Sequence, residues 1–79
     1  MREAGFIVRL HGPPREHPPP HVHVDKGKEG RAIIRLGTSD SPPKVWRVYD
    51  LRHRDVLRAC QIVGKHHDLI HQVWRSLHG

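Results

Sequence analysis

The clearest structural pattern in the chain lies in residues 21–36, which read HVHVDKGKEGRAIIRL. Polar and apolar residues alternate in both halves of this segment, as they do in half-buried strands. Residues 26–30, between the halves, have the glycine spacing of a hairpin turn. The segment therefore predicts two antiparallel strands. One face carries His21, His23 and Asp25, and the other carries Val22, Val24, Ala32, Ile34 and Leu36.

The rest of the chain predicts the elements around this hairpin. Residues 5–11 alternate like a first strand, and residues 45–49 suggest a fourth. From residue 52 the apolar period changes from two to about 3.6, which predicts two amphipathic helices, the first ending at Gly64. We therefore expect a single α+β domain over residues 1–79. It consists of a three- or four-stranded antiparallel sheet followed by two C-terminal helices packed on one face.

Composition limits the classes of function. The 79 residues include 14 lysines and arginines, 8 acidic residues and nine histidines, giving a formal charge of +6 at pH 7. This balance favours polyanions or acidic proteins as partners. The single cysteine, Cys60, lies among apolar residues and predicts an inert buried thiol. The sequence has no run of about 20 apolar residues, so we expect no membrane span and a cytoplasmic protein.

Alternation also predicts a basic surface. If both helices cover the valine face of the sheet, the opposite face carries Arg9, Arg31 and Arg35 beside the histidines. We expect these arginines to contact phosphate, together with Lys26 and Lys28. Trp46 and Trp74 are interpreted as core anchors. The exposed face then lacks aromatic platforms for base stacking, so contact with the nucleic-acid backbone is the expected mode.

Three histidines surround a stiff triproline and form the candidate site. His17 precedes the prolines, and His21 and His23 follow on one face of a strand. Acid–base chemistry would make all three catalytic residues of a metal-independent ribonuclease. As metal ligands, the same three would hold zinc or nickel, and His67 and His71 form a second pair at one-turn spacing. Alternatively, His17 and His21 bond backbone groups that the prolines leave unpaired.

These residues resemble a family of small bacterial proteins called domain of unknown function 4160. The resemblance rests on Glu16-His17-Pro18-Pro19-Pro20-His21-Val22-His23, on Gly5-Phe6-Ile7-Val8-Arg9 and on Trp74 after His67-Asp68-Leu69-Ile70. It implies a compact α+β domain, often encoded beside another small protein in arrangements similar to toxin–antitoxin pairs, with no established activity. The chain departs from the family pattern at Arg9-Leu10-His11-Gly12-Pro13-Pro14.

Together these observations define the expected function. We expect a small cytoplasmic bacterial protein of toxin–antitoxin type that engages RNA or a cognate small acidic protein through its basic, histidine-rich face. The alternative is a zinc- or nickel-binding interaction module without catalytic turnover. A homodimer is a further expectation, because a chain of 79 residues has a thin core.

Overall fold

The computed structural model of the protein describes residues 1–12, 18–38 and 40–79. Five strands are followed by two helices, which confirms the predicted α+β class. The elements are β1 (Arg2–Glu3), β2 (Phe6–Arg9), β3 (His21–Lys26), β4 (Gly30–Arg35), β5 (Lys44–Tyr49), α1 (His53–Lys65) and α2 (His67–His78).

The strands form one antiparallel sheet in the order β1-β2-β3-β4-β5. The predicted hairpin is confirmed, because β3 pairs with β4 from His21 opposite Arg35 to Lys26 opposite Gly30. The prediction of three or four strands is wrong, since β1 adds a fifth. Two residues are too few to show alternation, and β1 is held by backbone bonds between Met1 and Val8 in both directions.

The core lies between the helices and one face of the sheet, which we call the inner face. Each large apolar side chain that leaves water there stabilises the fold by about 1.5–3 kcal/mol. The sheet contributes Phe6, Val8, Val22, Val24, Ala32 and Ile34, and the helices contribute Ala59, Ile62, Val63 and Ile70. Alternation predicts the sheet positions, and helical spacing predicts Val63 and Ile70. The helical prediction is wrong for four apolar residues that are exposed, namely Leu57, Leu69, Val73 and Leu77.

The two helices follow each other almost without a break. The sequence predicts Gly64 as the end of the first helix, but α1 runs to Lys65. The backbone N–H of His66 then bonds the carbonyl of Ile62, and α2 begins at His67. Among the described residues, no helix is long and apolar enough to cross a membrane.

Helix α2 lies across one end of the sheet. β2 ends there, β3 begins there and β4 ends there, because the three strands are antiparallel neighbours. The loops that leave β2 and β4 both contact the helix: His78 bonds the carbonyl of His11, and His67 bonds the carbonyl of Gly37. This crossing brings Trp74 next to His21 at the start of β3.

Candidate functional site

The face of the sheet opposite the core, which we call the outer face, is left open by the helices except at His21. The expectation that His21 is exposed there is wrong, because Trp74 of α2 packs against its ring. The members of the outer face alternate with the core residues along each strand. They are Arg2, Ile7, Arg9, His21, His23, Asp25, Arg31, Ile33, Arg35, Lys44, Arg47 and Tyr49. Alternation therefore places His21 and His23 on the face opposite the valines, together with five arginines and, among the described strand residues, a single carboxylate.

Asp25 fixes two of these arginines. Its Oδ1 accepts a bond from Arg31 Nε at 2.6 Å, and its Oδ2 lies 3.2 Å from Arg9 Nε. The carboxylate is buried, whereas both guanidinium groups are about half exposed. A buried carboxylate is stable only when it is paired, so the two cations and Asp25 hold one another in place. Two cations of the outer face are thus pre-positioned on neighbouring strands.

A β-bulge adds an aromatic ring to the outer face. Ile33 pairs with Arg47 and Ile34 pairs with Val45, so Trp46 is the extra residue. The guanidinium carbon of Arg35 lies 5.7 Å from the centre of the Trp46 ring, within cation–π range. Trp46 is 44% exposed and Tyr49 is 49% exposed.

Two expectations about aromatic residues are therefore wrong. Trp46 is no core anchor, and the outer face does carry exposed rings. The bulge is the physical reason, because strict alternation along β5 cannot place both Trp46 and Arg47 on one face. The interpretation of Trp74 as a core anchor is confirmed, since its side chain is 5% exposed.

His21 is packed between the two tryptophans. Its ring centre lies 5.3 Å from that of Trp46 and 5.4 Å from that of Trp74, and the residue is 6% exposed. Nδ1 lies 2.8 Å from the carbonyl oxygen of Pro19. Because a carbonyl only accepts, Nδ1 carries the proton and donates it. This is the structural role that the sequence left open for His21, and it ties the end of the proline loop to β3.

Of the other two histidines in the motif, the structure describes His23 but not His17. His23 is half-buried, and its ring centre lies 5.7 Å from those of His11 and His21. His17 lies outside the described residues, as does Glu16. Among the residues that are described, no three histidine, cysteine or acidic side chains are grouped to hold a metal ion. The prediction of a zinc or nickel site at His17, His21 and His23 stays a prediction.

The two lysines predicted to contact nucleic acid lie in different surroundings, and Lys28 lines the same surface pocket as Arg31. Lys26 points to the helix side, where its Nζ donates to Asp55 Oδ1 at 2.9 Å. This bond, with the carboxylate of Glu29 at 3.5 Å, raises the pKa of Lys26. The contact joins the hairpin to the first turn of α1. Lys28 is exposed at the tip of the hairpin.

The two histidines predicted as a metal pair on α2 contact a backbone carbonyl. His67 and His71 each place Nε2 2.7 Å from the carbonyl oxygen of Gly37. Both nitrogens must donate, since the carbonyl can only accept.

A third histidine near the start of α2 contacts β1. The Nε2 of His66 lies 2.8 Å from a carboxylate oxygen of Glu3. This contact, followed by that of Lys65, lowers the pKa of the Glu3 carboxyl.

Cys60 offers no activated nucleophile. Burial raises the pKa of its thiol, which disfavours the thiolate.

The exposed residues of the outer face that sequence reasoning missed are Trp46 and Tyr49. Their apolar character suggested burial, and no sequence pattern marks the bulge between Ile33 and Ile34.

The family model described as Domain of unknown function (DUF4160) matches residues 5–75. No curated protein and no solved structure matches the chain.

Proposed function

The chain belongs to the domain of unknown function 4160 family, and we propose that it is the RNA-binding member of a toxin–antitoxin-type pair of small bacterial proteins. In this proposal the outer face binds single-stranded RNA without cleaving it. The observation that carries the proposal is the grouping of four exposed arginines around exposed aromatic rings on one face. They are Arg9, Arg31, Arg35 and Arg47, with Trp46 and Tyr49.

The two kinds of side chain would have different tasks. Guanidinium groups pair with phosphate oxygens, and flat rings stack on unpaired bases whatever their sequence. Arg9 and Arg31 lie on β2 and β4, and both direct their Nε atoms to Asp25 on β3 between them. The pair can therefore face one stretch of RNA backbone while bases lie over Trp46 and Tyr49 on β5.

The burial of His21 supports binding rather than catalysis. General acid–base cleavage needs a proton-transferring group within about 3 Å of the reacting oxygen. His21 is enclosed by Trp46 and Trp74, and its Nδ1 is engaged with Pro19. His21 is therefore not placed to transfer a proton to RNA that lies on the outer face.

Fluorescence anisotropy with a labelled single-stranded RNA of mixed sequence tests the proposal. Trp46→Ala is expected to weaken binding about tenfold, since one stacked base contributes about 1–3 kcal/mol. Arg35→Ala should weaken binding and reduce its salt dependence. The matched control is Arg58→Ala, which removes an equal charge from an exposed site on α1. A gel of the same mixtures shows whether the RNA is cut.

The outcomes separate the proposal from its rivals. Absence of RNA binding, or equal losses in Trp46→Ala and Arg58→Ala, would refute it. If the chain binds poly-glutamate instead of the RNA, an acidic protein is indicated as the partner of the same arginines. Cleavage of the RNA that persists in Trp46→Ala would contradict a purely binding role.

A further inference from the structure

The two edges of the sheet differ in how they are protected. On one side the short strand β1 covers β2. On the other side β5 pairs only with β4 among the described strands, and all six of its residues are exposed. An open edge of this length presents backbone N–H and C=O groups to any strand that can align with it. β5 is thus the interaction surface that the topology leaves open.

The side chains of β5 have a symmetric order. Lys44 and Tyr49 pair with Arg35 and Arg31, which places them on the outer face, and Val45 and Val48 pair with Ile34 and Ala32 on the inner face. The bulge adds Trp46 to the outer face beside Arg47. From Lys44 to Tyr49 the strand therefore reads outer, inner, outer, outer, inner, outer, which is the same in both directions.

We propose that β5 pairs antiparallel with β5 of a second copy of this chain, about a two-fold axis between Trp46 and Arg47. Such an axis is perpendicular to the sheet and keeps the outer faces of both copies on the same side. In this register Val45 faces Val48 and Trp46 faces Arg47 of the other copy. A shift of one residue would place inner side chains against outer ones, so the bulge selects the register.

The chemistry of the facing residues is complementary. Val45 and Val48, both exposed in one chain, form an apolar cross-strand pair. Arg47 meets the ring of Trp46 of the second copy, a cation–π pair that forms twice. Lys44 meets Tyr49 of the second copy, with the carboxylate of Asp50 one residue further. No cation of β5 directly faces another cation.

The dimer goes beyond the proposed function and does not depend on it. It would join two outer faces into one continuous basic surface, yet it can be measured without RNA. Each chain carries a formal charge of +6, so salt should strengthen dimerisation by screening the repulsion. RNA binding should weaken in salt. Dimerisation and RNA binding are therefore distinguishable, because added salt should strengthen the first and weaken the second.

Light scattering on a sizing column, at moderate and high salt without RNA, tests the proposal with the full chain. The expected mass is twice the 9.2 kDa of one chain. Val48→Lys, which places a cation against Val45 of the second copy, should raise the dimer dissociation constant at least about tenfold. The control is Leu57→Lys, on the solvent side of α1, which should leave it unchanged. Circular dichroism confirms folding of both variants.

A disulfide cross-link tests the register itself. In a Cys60→Ser background, a mixture of Val45→Cys and Val48→Cys chains should form a disulfide-linked dimer under oxidation, and either variant alone should form much less. A monomer at every concentration in high salt would overturn the proposal. An equal loss of dimerisation in Val48→Lys and Leu57→Lys would also overturn it. A dimer that does not cross-link at positions 45 and 48 would overturn it as well.

Discussion

The carbonyl oxygen of Gly37 accepts hydrogen bonds from two imidazoles of α2, His67 and His71, at 2.7 Å each. Gly37 is buried at the end of the sheet, so water does not readily replace a lost donor. The two bonds therefore depend on one acceptor. We expect the effects of removing the two donors to be strongly non-additive.

The size of this effect follows from hydrogen-bond energetics. His67→Ala or His71→Ala alone removes one bond of about 1 kcal/mol, and the carbonyl keeps the other partner. The double variant loses both bonds and leaves a buried acceptor unsatisfied, which costs about 1–2 kcal/mol more. The free energy of unfolding should therefore fall by about 1 kcal/mol in each single variant and by about 3–4 kcal/mol in the double variant.

Urea denaturation of the four proteins measures these free energies and gives the coupling energy directly. Gln72→Ala, at an exposed position of the same helix, is the control and should change stability by less than about 0.5 kcal/mol. Additive losses, with the double variant equal to the sum of the singles, would refute the shared acceptor.

Three further predictions concern the contacts that hold the sheet and helices together. Trp74→Ala should lower the free energy of unfolding by about 3–5 kcal/mol in urea titrations, because it empties a buried site; a loss below about 1 kcal/mol would contradict its burial. Gly30→Ala should lower the melting temperature, since the added methyl group would collide with the carbonyl oxygen of Tyr49, and an unchanged value would count against this packing. Because His66 lowers the pKa of Glu3, the ionised carboxylate stabilises the fold fully above its ordinary pKa of 4.5 and ceases to do so as pH falls through the lowered value. The stability difference between the wild type and Glu3→Gln should shrink over that acidic range, and a difference that is constant with pH would exclude this linkage.

Much of the fold could be predicted because it depends on periodicity. Alternation in residues 21–36 places Val22 and Val24 in the core and Asp25 on the opposite face, as the structure has them. The helical stripe likewise places Val63 and Ile70 in the core. These patterns repeat several times along each element, so a single polar exception does not hide them.

The candidate site was less predictable because it depends on single local events. The bulge at Trp46 breaks the alternation of faces along β5 at one residue, and nothing in the neighbouring sequence marks it. The histidines of α2 have the spacing of metal ligands, but their acceptors are backbone carbonyls that carry no sequence signature. Such acceptors can be identified only from a structure that positions the loops against the helix.

Backbone acceptors also affect how this chain can diverge. His78 bonds the carbonyl of His11, and any residue at position 11 would present the same oxygen. The residue at position 11 can therefore be exchanged while α2 stays attached there, whereas an exchange of His78 removes the donor. Tolerance to substitution at this contact is thus confined to the acceptor side.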